Sequence, residues 1–206
     1  MTTPSRLIVG ISGASGVAYG VRLLELLQPL DVETHFVMTK AAELTLAYET
    51  ECKPAGVRAL ADENYAISDL GAALASGSFR TRGMIVAPCS IRSMSEIATG
   101  VTSNLLTRAA DVMLKERRRL VLMVRETPLH AGHLRNLLHL AELGAIIAPP
   151  VPAFYPLPGS LDDILDHTLG RVLDLFDIDA GVVRRWGEDV PERPALSPAA
   201  GRGAER

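Results

Sequence analysis

The sequence predicts a three-layer α/β domain built on a doubly wound parallel sheet. Short continuous apolar runs, such as residues 7–11, are typical of strands that are buried on both faces. Segments with apolar residues at helical spacing alternate with these runs, as they do in βαβ units. No repeat or low-complexity linker interrupts residues 1–187, so we expect them to form a single domain.

The strands and helices of residues 1–78 are predicted from the spacing of apolar residues and from the residues that interrupt this spacing. After the first strand, residues 17–27 are predicted to be a helix that ends before Pro29. Residues 32–38 are the second predicted strand, and residues 40–48 the second helix. Residues 51–78 show no consistent period and are interpreted as loops with short elements.

The second half continues the alternation. Residues 83–87 are predicted to be a strand that Pro88 ends. The further predicted strands are residues 120–124 and 145–148, and the predicted helices are residues 93–99, 104–116, 130–143 and 161–176. From Glu188 the chain turns to Pro, Ala, Gly and charged residues, so residues 188–206 are predicted to be a flexible tail.

Composition excludes several classes of protein. The chain has 206 residues, 48% of them hydrophobic, yet no apolar run approaches the roughly 18 residues of a membrane span. A net charge of −3, with no basic block longer than residues 115–119, argues against nucleic acid as a partner. The two cysteines, Cys52 and Cys89, indicate a reduced, cytoplasmic setting, and no Cys/His cluster has the spacing of a zinc site.

In a parallel sheet, ligands bind beyond the carboxyl ends of the strands, so each loop there is a candidate site. The first loop, residues 10–16, suits a phosphate cradle with hydroxyls from Ser12 and Ser15, or a tight turn without a ligand. Thr39 can cap a helix or present its hydroxyl to the same edge. Cys89 can be a nucleophile or a buried packing residue.

Three more segments leave alternatives open. Ser90 and Ser93 can cap the helix that follows them, or bind a ligand. Arg125 and Glu126 end a strand, where they can form a structural ion pair or meet a ligand. The prolines of residues 149–158 make that segment stiff, so it can form a pocket wall or a surface spacer.

Taken together and in order, these motifs resemble the UbiX-type flavin prenyltransferases. The string RAADVMLKERRRLVLMVRETPL is the most specific of them, and the resemblance covers about residues 6–187. The other shared motifs are GASG followed by YG, ASGS, GM, PCS, NLL, GA, PAFY, RVLD and RW.

The resemblance implies a fold, an activity and partners. Members of this family bind FMN on a Rossmann-like or flavodoxin-like fold and alkylate its reduced form with dimethylallyl phosphate, at N5 and then at C6. The product, prenylated FMN, passes to a UbiD-type decarboxylase. The family needs no metal, and its members form homododecamers whose sites are built between subunits.

On the matching positions, the resemblance also implies three groups of site residues. The flavin contacts are Gly13, Ala14, Ser15, Thr39, Ser90, Ile91, Arg92, Ser93 and Arg125. The residues around the prenyl phosphate are Tyr155, Arg171, Lys115 and Arg108. The catalytic residues are Ser15, Glu49, Lys115 and Glu126. Some relatives place a tryptophan about where Leu70 lies, so the wall of the flavin site is expected to be built differently here.

Two other hypotheses fit the same fold. A decarboxylase of the phosphopantothenoylcysteine class would carry a proline-alanine-asparagine segment and a histidine in its first helix, and this chain has neither. A non-enzymatic FMN carrier for a decarboxylase would not require the polar residues assigned to the prenyl phosphate.

Overall fold

The chain folds around a six-stranded sheet, seen in a computed structural model that describes residues 5–190. The strands are β1 (Arg6–Ile11), β2 (Glu33–Met38), β3 (Glu63–Tyr65), β4 (Gly83–Cys89), β5 (Arg119–Val124) and β6 (Ile146–Ile147). Their order is β3-β2-β1-β4-β5-β6, and every neighbouring pair is parallel. The predicted α/β class with a doubly wound parallel sheet is confirmed.

Helices cover both faces of this sheet. They are α1 (Ala18–Leu27), α2 (Lys40–Glu49), α3 (Pro54–Arg58), α4 (Ile91–Ala98), α5 (Leu105–Lys115), α6 (Ala131–Glu142) and α7 (Leu161–Asp174). The buried hydrophobic side chains of α1, α2, α3 and α7 belong to one core, and those of α4, α5 and α6 belong to the other. None of the helices within residues 5–190 is long and apolar enough to cross a bilayer.

Alternate side chains of each central strand enter opposite cores. In β1, Leu7 and Val9 pack in the first core and Ile8 in the second. In β5, Val121 packs in the first core, whereas Leu122 packs in the second. Because successive side chains point to opposite faces, a strand that is covered on both sides needs apolar residues at every position. This double burial explains the continuous apolar runs in the sequence.

The structure departs from the predicted elements at two places. Residues 51–78 contain α3 and β3, and β3 has only three residues at the edge of the sheet, too few to give a recognisable pattern. The prediction that Pro88 ends a strand is wrong: β4 continues to Cys89, with an irregular register between Val86 and Cys89. A proline is tolerated at such an irregularity, because its missing N–H removes no regular ladder bond.

The predicted tail falls outside the described residues from residue 191 onward. Residues 188–190 are described, and Val190 forms an isolated bridge with Trp186. The extent of the tail and the single-domain assignment of residues 1–187 stay predictions.

The strand order reverses between β1 and β4. From β1 the chain adds strands outward on one side, through β2 and β3, and from β4 it adds them on the other side. The loops that follow β1 and β4 therefore leave the sheet in different directions and open a crevice at its carboxyl edge. This switch point positions the candidate site.

Gly20 is expected to be essential to the packing of α1 on the sheet. In Gly20→Ala the added Cβ would collide with the carbonyl oxygen of Ala87 and the side chain of Ile11. Since overpacking of this kind destabilises by about 1–3 kcal/mol, the free energy of unfolding in urea should fall by that amount. The matched control is Gly56→Ala in α3, whose added Cβ meets nothing within 4 Å. It should be neutral or stabilising, and equal stability of the two variants would contradict the packing described.

Candidate active site

The candidate site is a groove beside the switch point, at the carboxyl ends of β1, β2 and β4. Its volume is about 210 Å³. Five of the residues predicted to contact a flavin line it: Gly13, Thr39, Ser90, Arg92 and Ser93. The other lining residues are Lys40, Ala41, Ile67, Glu96 and Asn104.

Two helices begin at this groove. Thr39 caps α2, and its Oγ1 accepts the N–H of Ala42 at 3.1 Å. Ser90 caps α4, and its Oγ accepts the N–H of Ser93 at 3.2 Å. The capping interpretation is therefore confirmed for both residues. Each helix start also presents free backbone N–H groups and the positive end of its dipole, which favour an anion in the groove.

The side chains add further positive charge. Lys40 and Arg92 line the groove, and Glu96 is the only carboxylate among its lining residues. Arg92 Nε lies 2.9 Å from Glu96 Oε1, and the Ser103 hydroxyl donates to the same carboxylate at 2.6 Å. Burial raises the pKa of Glu96, but the hydrogen bonds from Ser103 and Arg92 outweigh it and leave the pKa below its ordinary value. Two cations, two helix starts and several hydroxyls fit the phosphate group of FMN.

Ser12 joins the two loops on either side of the crevice. Its side chain is fully buried, its hydroxyl donates to the carbonyl of Pro88 at 3.0 Å, and it accepts the N–H of Ser90 at 2.7 Å. Both hydrogen-bonding functions of this hydroxyl are thus used inside the protein. For Ser12 the structure favours the tight turn over the phosphate cradle.

The first loop also lies against the start of α2. A side chain at Gly13 would collide with Ala41, so the backbones approach as closely as they do only because this residue is glycine. Gly16 has a φ of +89°, a conformation that other residues rarely adopt. These two glycines shape the loop that carries Ser15 to the surface.

Glu49 binds the start of α1 from the end of α2. One carboxylate oxygen accepts the N–H groups of Gly16 and Val17 at 2.8 and 3.0 Å. Burial raises the pKa of Glu49, but the hydrogen bonds from Ser15, Val17 and Gly16 and the charge of Arg125 together lower it below its ordinary value. The helix start that could have held a phosphate is therefore occupied by this carboxylate, and Ser15, Glu49 and Arg125 form one cluster.

The free energy of unfolding should depend on whether Glu49 is ionised. Its lowered pKa means that the stabilisation is fully present above the ordinary value of about 4.5 and is lost as the pH falls through the lowered pKa. Glu49→Gln should therefore reduce the free energy of unfolding by about 1 kcal/mol at neutral pH, as loss of a helix cap does, with the difference from wild type closing below pH 4.5.

Urea unfolding across this pH range measures the effect. Glu51→Gln is the matched control, because Glu51 is exposed and lies two residues beyond Glu49. A loss that is independent of pH, or equal in the two variants, would contradict the capping role.

The remaining predicted flavin contacts surround the groove. Arg125 follows β5, its N–H donates to the Cys89 carbonyl at 3.2 Å, and its side chain is close to Gly16. Ala14 is half-buried in the first loop, and Ile91 is half-buried at the start of α4. Leu70 is 51% exposed and does not line the groove, whereas Ile67 supplies an apolar side chain there.

Glu126 is exposed beside Arg125 at the carboxyl edge. Its Oε1 accepts the N–H of Thr127 at 2.9 Å, so the carboxylate is held by its own loop. Arg125 and Glu126 thus lie at the same edge of the sheet as the groove, and their role as ligand contacts stays a prediction.

Lys115 lies at the opposite edge of the sheet. It ends α5, and three residues separate it from the start of β5. Its Nζ is 2.5 Å from Glu116 Oε1. Glu126 follows the far end of β5, and six strand residues span roughly 20 Å. A single chain therefore does not bring Lys115 and Glu126 together.

Arg108 lies nearer to the groove. It is on α5, one helical turn after Asn104, which caps that helix and lines the groove. Its guanidinium is 2.7 Å from Asp111 Oδ2 and donates to the Ala75 carbonyl at 3.3 Å. The side chain is thus held along the second core face rather than inside the groove.

Tyr155 and Arg171 are neighbours of the same histidine. The Tyr155 hydroxyl is 3.0 Å from Nε2 of His167. Burial lowers the pKa of that histidine, and the charge of Arg171, one turn further along α7, adds to this effect. Arg171 also forms an ion pair with Asp174 at 2.6 Å. The structure therefore groups these two predicted phosphate ligands, but not with the groove residues.

Cys89 is a packing residue. It is fully buried, and burial raises the pKa of its thiol to about 12, so the thiolate needed for nucleophilic attack does not form at neutral pH. Among the residues that the structure describes, no group of three or more His, Cys, Asp or Glu side chains could hold a metal ion.

A second cavity, of about 510 Å³, opens at the amino edge. Arg82, Arg119 and Asp177 are among the residues that line it. We place the flavin site in the smaller groove, because ligands of doubly wound sheets bind at the carboxyl edge near the switch point and five of the predicted flavin contacts line it.

Sequence reasoning missed five groove residues and one buried histidine. The groove residues are Lys40, Ala41, Ile67, Glu96 and Asn104, and only the spacing of Glu96 four residues after Arg92 gave a local signal. His167 is a single histidine on an amphipathic helix, and nothing in its immediate sequence indicates that it meets a tyrosine from another segment.

Comparison with known proteins agrees with this fold. The sequence matches the family model described as Flavoprotein over residues 1–186. A flavin prenyltransferase UbiX from Salmonella typhimurium is 60% identical over 174 residues, which are 84% of this chain and 92% of that protein.

Two solved structures are similar over nearly their whole length. One is AnUbiX (PadA1) in complex with FMN and dimethylallyl pyrophosphate, with a TM-score of 0.88 and 52% identity over 89% of this chain and 98% of that chain. The other is a dodecameric FMN-dependent UbiX-like decarboxylase from Escherichia coli O157:H7. It has a TM-score of 0.86 and 48% identity over 88% of this chain and 98% of that chain.

The fold, the groove at the switch point and the family match define the class as flavoproteins with a parallel doubly wound sheet. Within that class, the high identity over most of both chains is decisive. The chain belongs to the flavin prenyltransferase family, and the resemblance carried by its motifs is confirmed.

Proposed function

We propose that this chain is a flavin prenyltransferase, which transfers the dimethylallyl group of dimethylallyl phosphate to N5 and C6 of reduced FMN. The observation that carries this proposal is the groove, which collects five of the flavin contacts assigned from the family at one sheet edge. The resulting prenylated FMN serves as the cofactor of a UbiD-type decarboxylase. We expect the reaction to take place in the cytoplasm.

The groove supports the binding of FMN through its phosphate. Lys40, Arg92 and the starts of α2 and α4 supply positive charge and N–H donors, and Thr39 keeps its hydroxyl proton for a ligand. Ile67 offers an apolar surface beside them. The groove of 210 Å³ is smaller than the roughly 300–1,000 Å³ of sites that enclose a small molecule, so further walls are needed.

The reduced flavin supplies the nucleophiles, and dimethylallyl phosphate supplies the alkyl group and releases inorganic phosphate when its C–O bond breaks. Phosphate is a poor leaving group, so the chain must stabilise the negative charge that develops on it. Arg108, Lys115, Tyr155 and Arg171 carry the charges and donors for this task. Fixed before the reaction, such groups stabilise the departing phosphate more than the intact substrate.

The proton steps fall to the cluster around the first loop. The lowered pKa of Glu49 keeps it ionised at neutral pH, which suits it to accept a proton and to orient Ser15 rather than to act as an acid. Ring closure would add a proton to the prenyl double bond and remove one from C6, and Glu126, which lies at the same edge, is the candidate to carry that proton. The hydroxyl of Ser15 relays protons between Glu49 and the ligand of the first loop.

The positions of Lys115 and Glu126 support a site shared between subunits. The two residues lie beyond opposite ends of the same strand, so Lys115 of one copy serves the carboxyl edge of another. A homododecamer, the assembly of the E. coli relative, provides such contacts repeatedly. The extra walls that the groove lacks come from the same neighbouring copies.

The reaction is tested by mass analysis of the flavin. Reduced FMN-loaded protein is incubated with dimethylallyl phosphate without oxygen, and the flavin is then extracted. We expect its mass to increase by the prenyl group, with inorganic phosphate released in equal amount. A flavin that stays bound but keeps its original mass would overturn the proposal and favour the carrier hypothesis.

Mixed oligomers test whether the site is shared. Lys115→Ala and Glu126→Gln should each bind FMN but lose turnover, since each site lacks one polar group. When the two inactive variants are co-expressed, random mixing should restore about a quarter of the sites. These are the sites that combine the intact Lys115 of one copy with the intact Glu126 of another. The assay is the same flavin mass measurement.

The controls are the two single variants and the wild type at equal protein concentration. Turnover in Lys115→Ala alone at the wild-type rate would contradict the role of Lys115. Mixed oligomers as inactive as both parents would contradict the sharing of the site.

A further inference from the structure

Tyr155 is held by a histidine that has no part in the function proposed so far. His167 lies in the middle of α7, is 7% exposed, and places Nε2 at 3.0 Å from the Tyr155 hydroxyl. The two rings meet edge to face, with centroids 5.4 Å apart. Trp186 contacts the tyrosine ring in the same edge-to-face manner, also at 5.4 Å. The ring of Tyr155 is therefore fixed, and only its hydroxyl proton can change direction.

The state of His167 decides that direction. The hydrogen bond of the ring to the Arg184 backbone favours a proton on Nδ1, so the neutral ring has a bare Nε2 that accepts the hydroxyl proton of Tyr155. Only oxygen lone pairs are then left for a ligand. A ring with a proton on Nε2 donates to the tyrosine oxygen, which leaves the hydroxyl proton for a ligand. A phosphate ester has only acceptor oxygens when it is fully ionised, so the second state is the one that binds it.

Without a ligand, the surroundings favour the neutral ring. Burial is the main cause that lowers the pKa of His167, and the charge of Arg171 adds to it. The backbone of Arg184 and the charge of Asp174 act in the opposite direction but are weaker in sum. The other charged residues around this site are Asp163, Asp166 and Arg184, which line a neighbouring cavity with His167, and Arg22 and Arg185, which pair with Asp166 and Asp174.

We propose that His167 is a positioning residue for Tyr155, and that binding of the prenyl phosphate is coupled to uptake of one proton by His167. The proton comes from solvent and goes to the imidazole, which then donates to the Tyr155 oxygen, while the tyrosine hydroxyl turns to the phosphate. The N–H bond that forms on the imidazole is balanced by the bond that breaks in the solvent acid giving up the proton, and no other covalent bond changes. The proposal rests on the proposed function, because it takes Tyr155 as a ligand of the substrate phosphate.

The dianionic phosphate itself supplies the driving force. A negative charge close to an imidazole favours the protonated ring, so it counteracts the burial that keeps the free protein neutral at this position. Arg171 lies one helical turn away, where its charge can pair with the same phosphate. When Arg171 is paired with the phosphate, its positive charge opposes protonation of His167 less.

Calorimetry measures the coupling directly. Dimethylallyl phosphate is titrated into the full chain loaded with oxidised FMN, which binds without turnover, in two buffers with different heats of ionisation. At a pH slightly above neutrality, the wild type should take up close to one additional proton per site compared with His167→Phe. His167→Phe and Tyr155→Phe should each bind about five- to tenfold more weakly, the effect of one lost hydrogen bond.

His167→Gln separates positioning from folding. Its amide can donate to the Tyr155 oxygen without titrating, so it should restore most of the affinity but none of the proton uptake. His139→Phe, on the exposed face of α6, is the matched control and should change neither quantity. Flavin absorbance and thermal unfolding confirm that each variant is folded. If His167→Phe does not fold, the comparison of the wild type with His167→Gln tests the proposal.

Two results would overturn the proposal in different ways. If the wild type and His167→Gln take up protons equally, the coupling to His167 fails while the proposed function stands. If the wild type does not bind dimethylallyl phosphate at all, the proposed function fails, and the role of His167 fails with it.

Discussion

Burial of the parallel sheet on both faces is the constraint on which the rest of this structure depends. Leu7, Ile8 and Val9 show it within one strand, since they alternate between two separate cores. A sheet covered in this way exposes no face to a ligand, so chemistry is confined to its two edges. The order of the strands then selects the carboxyl edge, where the loops after β1 and β4 diverge.

Local hydrogen bonds turn that edge into a preorganised site. Ser12 ties the two diverging loops together from within the core, and Glu49 fixes the start of α1. Hydrogen bonds within the protein already use the polar groups of Ser12 and Glu49. The N–H donors and cations that are available to a ligand therefore lie at the starts of α2 and α4. The same confinement to edges separates Lys115 from Glu126, which is why we infer that a complete site needs more than one copy.

Much of this could be predicted from the sequence, and the failures have physical causes. Because the central strands are buried on both faces, they are continuous apolar runs that can be recognised in the sequence. The order of the motifs along the chain identified the family. The three-residue β3 and the passage of β4 through Pro88 were missed, because both depend on pairing with neighbours rather than on local pattern. The helix-capping contacts of Glu49 were also missed, because its hydrogen bonds to Gly16 and Val17 join residues more than thirty positions apart and no local pattern encodes them.

Hydrogen exchange of the full chain with and without FMN tests the central claim, that the flavin binds at the carboxyl edge. The account predicts added protection in the first loop and in the first turns of α2 and α4, where the groove is built. The amides around Arg82 and Arg119 at the amino edge should exchange equally in both states. Protection at the amino edge, with the first loop unchanged, would contradict the account.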